Sequence, residues 1–130
     1  MQELLFKNEY PIFTMTLDKN ETSFSSVKAI INNLHAKIEA HPVATYVGLF
    51  NHYEHTSCLE SGEVSTDIID AQNILFCFGK ELLVPEVLAV RPRSIGIAER
   101  SDDFVLSFLK APNPTANEAM IKWVESLQDR

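Results

Sequence analysis

Ser94-Ile-Gly-Ile-Ala98 and Phe104-Val-Leu-Ser-Phe-Leu109, separated by Glu99-Arg-Ser-Asp-Asp103, decide the fold class of this chain. Two short apolar runs around a polar group predict antiparallel strands joined by a tight loop, although no Asn-Gly or Asp-Gly pair marks the turn. Upstream, Asn73-Ile-Leu-Phe-Cys-Phe-Gly79 is a continuous apolar run too short for a buried helix, and it predicts a central strand. Between them Pro85 opens a short helix, Pro85 to Val90, which Pro92 stops.

Downstream of the hairpin, Ala116, Ala119, Met120, Trp123, Val124 and Leu127 recur at helical spacing after Pro112-Asn-Pro114, with Thr115 as a candidate cap. Towards the N-terminus, Pro11 to Leu17 alternates as a strand does and ends at the turn signal Asp18-Lys-Asn20. Phe24, Val27, Ile30, Ile31, Leu34 and Ile38 then predict a helix from Ser23 to about Ala40, capped by Thr22 or Ser23 and ended before Pro42. Ala44 to Tyr53, rich in aromatic and β-branched residues, predicts another strand. Glu54 to Gln72 is polar and has room for a helical turn around Thr66 to Ala71. The expected fold is therefore α+β: a mostly antiparallel sheet of about five strands with two long helices packed on one face.

Length and composition bound the function. At 130 residues, with 45% hydrophobic and 22% charged residues, the chain matches one globular domain spanning residues 1–130 that needs neither disulfides nor a structural metal to fold. A net charge of -7 opposes attraction to phosphates, so neither nucleic acid nor a membrane surface is expected as a partner. The N-terminal ten residues lack the basic and apolar regions of a leader, and no run approaches the roughly 18 apolar residues of a membrane span. A cytoplasmic location is the expectation, with Cys58 and Cys77 as free thiols.

The strongest chemical lead is Asn51-His-Tyr-Glu-His-Thr-Ser-Cys58. His52, His55 and Cys58 are the side-chain types that bind zinc or another divalent transition metal, with Cys77, Glu54, Glu60 or Asp70 available to complete a set. Between Lys37 and Lys80 there is no Lys or Arg, which favours a cation. The spacing closes no site in an extended strand, where His52 and His55 point to opposite faces; it needs a turn after Tyr53. A competing reading makes Cys58 or Cys77 the nucleophile of a thiol enzyme or redox protein, with His52 or His55 as base and Glu54 or Asp70 as orienting acid. No glycine-rich phosphate loop or serine elbow is present.

Arg91-Pro-Arg93 is the one local concentration of positive charge. Pro92 fixes the backbone between two guanidinium groups that can face a carboxylate or phosphate, with Lys80 as a third member. The strands also carry apolar residues on both parities, Phe76 and Phe78 against Leu75 and Cys77, so a second copy of the chain is expected over the sheet face that the helices leave bare.

In its order of elements, from the helix Ser23 to Ala40 and then from Asn73 to Leu127, the chain resembles a bacterial α+β family known as domain of unknown function number three hundred and two. The resemblance implies a small dimeric domain without established catalysis and carries over no functional residue. The expectation is a binding or accessory module holding a metal ion or small ligand, with a thiol enzyme and a dimeric interaction protein as the alternatives.

Overall fold

A computed structural model describes residues 1–130. The chain runs β1 (Gln2–Phe6), β2 (Tyr10–Asp18), α1 (Val27–Ala40), β3 (Thr45–Phe50), α2 (His52–Ser57), β4 (Asp70–Cys77), β5 (Arg93–Glu99), β6 (Asp103–Leu109) and α3 (Pro114–Glu125). Short 3₁₀ turns occupy Lys19–Glu21 and Pro85–Val90. The strands form one six-stranded sheet in the order β1-β2-β6-β5-β4-β3, antiparallel throughout. No helix is long and apolar enough to cross a membrane.

The β5–β6 hairpin closes without a glycine turn because side chains do the closing. Arg100 N–H donates to the Asp103 carbonyl at 2.8 Å, and the Arg100 guanidinium grips the Asp103 carboxylate from Nε and Nη2 at 2.7 and 2.8 Å. Lys19 fastens the hairpin to the end of β2 through Glu99 at 2.7 Å.

Alternation does the rest. Phe13, Met15 and Leu17 of β2, Phe104, Leu106 and Phe108 of β6, Ile95 and Ile97 of β5, and Ile74 and Phe76 of β4 lie on one side of the sheet and are buried. Against them pack Val27, Ile30, Ile31, Leu34 and Ile38 of α1 and Ala116, Met120, Trp123 and Val124 of α3. The opposite side carries Ala71, Asn73, Leu75, Ser94, Gly96, Ala98, Val105 and Ser107, all partly exposed, with no long helix over it.

Five features differ from the sequence reading, each for a physical reason. The sixth strand, β1, is an edge strand whose residues are nearly all exposed, so it shows no buried alternation; its turn uses Lys7 and Asn8 at positive φ. Helix α1 starts at Val27 with Ser26 as its cap, because Thr22 and Ser23 have tertiary partners: Thr22 Oγ1 donates to the Leu127 carbonyl at 2.6 Å, and Ser23 binds Asp129. The third strand ends at Phe50, since Asn51 caps α2 by accepting the Glu54 N–H at 3.0 Å. The expected helical turn at Thr66 to Ala71 is absent beyond one turn; Asp70 and Ala71 already pair with Glu99 and Ala98. The cap of α3 is Asn113, which accepts the Thr115 N–H, and not Thr115 itself.

Two carboxylates give the fold an acid sensitivity. The hydrogen bond from Arg100 holds Asp103 below the ordinary carboxylate range, and Ser23, donating from both N and Oγ, does the same for Asp129. Both groups have folded-state pKa values below their unfolded ones. Their contribution is fully present above about pH 4 and is lost as pH falls through the lowered values. Asp103→Asn is accordingly expected to flatten the acid limb of the stability curve relative to wild type. Superimposable acid limbs in the two proteins would remove Asp103 from the explanation.

Candidate functional site

The turn that the His52, His55 and Cys58 cluster requires does form, as the six-residue helix α2. It lays the three side chains along one flank, since steps of three residues rotate by about -60° each around a helix, without gathering them into a three-ligand group. His52 lines a hollow of about 160 Å³ on the uncovered sheet face, with Ala71, Asn73, Gly96, Ala98, Val105 and Ser107 among its walls. His55 and Cys58 line a separate surface depression with Asn51, Glu54 and Leu59. The two imidazole centroids are 6.2 Å apart, and both rings lean on Phe50, at 5.2 and 5.3 Å. His52 Nδ1 is engaged by Thr56 Oγ1 at 3.0 Å.

No group of three or more His, Cys, Asp or Glu side chains is placed to hold a metal ion. The zinc centre expected at His52, His55 and Cys58 therefore has no third ligand in this structure. Both cysteines are free; Cys58 is exposed, and Cys77 Sγ accepts the Gly79 N–H at 3.2 Å, not a hydrogen bond from an imidazole. His55, Cys58 and Glu54 therefore share one depression, with no hydrogen bond joining the thiol to the imidazole, while Cys77 lies apart from both histidines' pockets.

A broad concavity lies on the uncovered sheet face. It has a volume of about 480 Å³ and a floor of Asn73, Ser94, Gly96 and Ser107 from three neighbouring strands. Phe6 and Ile12 wall it on one side, Ala89, Val90 and Pro92 on the other. Asn73 Nδ2 donates to Ser94 Oγ at 2.9 Å across the floor, which presents a neutral polar strip between apolar walls. The trough shares Asn73, Gly96 and Ser107 with the hollow beside His52. The signal for this site in the sequence is the small or hydroxyl residue at every second position of β5, Ser94, Gly96 and Ala98, interleaved with the buried Ile95 and Ile97.

Gly96 serves space here, not conformation, since its φ is not positive. A methyl group there would meet Asn73 Nδ2 at 3.3 Å and Ser107 O at 3.7 Å. Gly96→Ala is expected to fold with stability within about 1 kcal/mol of wild type, the small crowding offset by a more restricted unfolded chain. Urea unfolding measures it; a loss above about 2 kcal/mol would mean that the floor is already closely packed.

Of the three residues expected at an anion site, Arg91 and Arg93 come to one pocket and Lys80 does not. Both arginines line a pocket of about 130 Å³ with Phe78, Val87, Val90, Ala111, Pro112, Asn113 and Ala116, at the start of α3; Lys80 is exposed and does not reach it. Arg93 is only 8% exposed. It shares the helix-facing side of β5 with Ile95 and Ile97, donates from Nη1 to the Val90 carbonyl at 3.2 Å and from Nη2 to the Leu109 carbonyl, and leaves Nε without a partner. Arg91 Nη1 donates to the Glu81 carbonyl at 2.6 Å. Neither guanidinium takes part in an ion pair. Burial pushes the Arg93 pKa down.

Fold and cavities together describe a small α+β domain with helices on one sheet face and a concave opposite face. The chain belongs to a family of unknown function, DUF6858, whose model matches residues 1–129. No curated protein and no solved structure matches it. The resemblance to the family numbered three hundred and two is thereby corrected: a helix followed by a strand, hairpin and final helix is an order many α+β domains share, and it specifies no family.

Proposed function

We propose that the protein is a small-molecule-binding module whose ligand lies in the trough of the uncovered sheet face. One observation carries this: a concavity of about 480 Å³ in which Asn73, Ser94 and Ser107 converge between apolar walls. Small-ligand sites typically have volumes of about 300–1,000 Å³, mostly apolar linings and a few placed polar groups. The fitting ligand is mainly apolar, with one or two neutral hydrogen-bonding groups to meet the floor. Aromatic alcohols and amides are the probes, titrated into isotopically labelled protein. The reading expects amide shifts centred on Asn73, Gly96 and Ser107 that Ser107→Leu abolishes by filling the floor. Shifts scattered over other surfaces, or unaffected by Ser107→Leu, would sink it.

A second copy of the chain remains the proposed partner. Supporting it, Leu82, Leu83 and Leu88 are 68%, 79% and 62% exposed on the segment beside the trough, and Phe6 and Leu109 at the trough's wall are half exposed. Contiguous exposed apolar residues of this kind mark interaction surfaces. Sedimentation at micromolar concentration should show a dimer that Leu83→Glu dissociates, and a wild-type monomer would remove the proposal.

A further inference from the structure

Arg93 poses a problem that the trough does not answer. A guanidinium more than nine-tenths buried usually has a carboxylate beside it, because an unpaired buried charge is costly. Here two main-chain carbonyls occupy Nη1 and Nη2, Nε has no partner, and no carboxylate forms an ion pair with it.

The pocket that Arg93 lines also receives the start of α3. Of that helix's first amides, Pro114 has none, Thr115 N–H is taken by Asn113 Oδ1 at 2.9 Å, and Asn117 N–H by the Asn113 carbonyl at 3.2 Å. The Ala116 amide is the one left over, and Ala116 lines the pocket. A 12-residue helix also places partial positive charge at this end. Arg91, with Nη1 on the Glu81 carbonyl and its other nitrogens uncommitted, forms the neighbouring wall.

From this we infer that the pocket between Arg91, Arg93 and the N-terminus of α3 is an oxyanion site, for the carboxylate or phosphate group of a small molecule. Its size of about 130 Å³ limits the occupant to a compact head group, and Phe78, Val87 and Val90 supply an apolar wall for whatever the head group carries. The protein's net charge of -7 acts through screened solvent beyond roughly 8 Å. Contacts made inside the pocket are shorter than that and govern the affinity. This site is separate from the trough: only Val90 and Arg93 border both.

The test uses the full chain, labelled with nitrogen-15. Sodium phosphate and sodium butyrate are titrated separately, against sodium chloride at matched ionic strength, following the Ala116 amide and the Arg93 Nε–H. At least one of the two should move both signals along a saturable curve. Saturation by phosphate alone identifies a phosphate head group, and saturation by butyrate alone a carboxylate with an apolar tail. Asn113→Asp keeps the oxygen that caps Thr115 while placing a negative charge on the pocket wall, so it should fold normally and weaken binding about tenfold or more. Arg91→Gln should weaken it several-fold, and Ser107→Leu, which fills the trough, should leave it unchanged. Absence of saturation with both anions, or equal affinity in wild type, Asn113→Asp and Arg91→Gln, overturns the assignment whatever the trough binds.

Discussion

Phe76→Ala is expected to lower the unfolding free energy by about 3–5 kcal/mol, the cost of truncating a fully buried aromatic side chain. Phe76 is fully buried on β4, between the sheet and both long helices. Its ring meets Trp123 edge-on at 5.6 Å and Phe78 at 5.7 Å, while Phe78 stacks on Trp123 at 5.5 Å. Removing it takes away the transfer free energy of a buried aromatic side chain and leaves a cavity under two rings that cannot both collapse into it. Phe78 is also a wall of the arginine pocket, so the same substitution should broaden the Phe78 signals. Denaturant unfolding monitored by Trp123 fluorescence measures the cost. A loss below about 1.5 kcal/mol would show that α3 moves in to fill the space and that the aromatic cluster is not rigid.

Asn117→Ala comes second. The Asn117 side chain is 7% exposed and holds both polar groups of Ala111: its Nδ2 donates to the Ala111 carbonyl at 2.7 Å, and its Oδ1 accepts the Ala111 N–H at 2.8 Å. Alanine at this position orphans two buried main-chain groups, at about 1–3 kcal/mol each where water does not reach them. Ala111 and Pro112 also line the arginine pocket, so anion affinity should fall together with stability. Asn117→Asp separates the two bonds. It retains the acceptor for Ala111 N–H but sets a buried carboxylate oxygen against the Ala111 carbonyl, so at neutral pH it should cost at least as much as Asn117→Ala. Equal stability of Asn117→Ala and wild type would mean that solvent satisfies Ala111 and that the clasp contributes nothing.

Much of the fold is legible because the deciding patterns are local. Ile95 and Ile97 alternate with Ser94, Gly96 and Ala98 whatever lies next to them, and Val27 to Ile38 repeats at three and four residues wherever the helix packs. The Pro85–Val90 turn likewise has the bounds that Pro85 and Pro92 impose. Edge position is not local. Gln2–Phe6 is a strand because β2 offers it hydrogen bonds, not because its own residues alternate in burial.

The sites divide in the same way. Arg91 and Arg93 stand out in the sequence as paired charges, and the structure brings them to one pocket; Lys80, beyond the end of β4, stays outside it. His52, His55 and Cys58 stand out equally, yet the short helix that carries the histidines sets the three side by side without forming a three-ligand group. Asn73, Ser94 and Ser107 carry no motif at all and meet only because β4, β5 and β6 are neighbours in register.

By itself, then, the sequence determined the α+β class, the antiparallel hairpin at its centre and the two core-facing helices, since periodicity and turn chemistry are properties of a few adjacent residues. Only the tertiary structure decided which polar groups converge and which charge lacks a partner. Those depend on distances between segments far apart in the chain: the start of α3 reaching Arg93, and the three strands that close the trough.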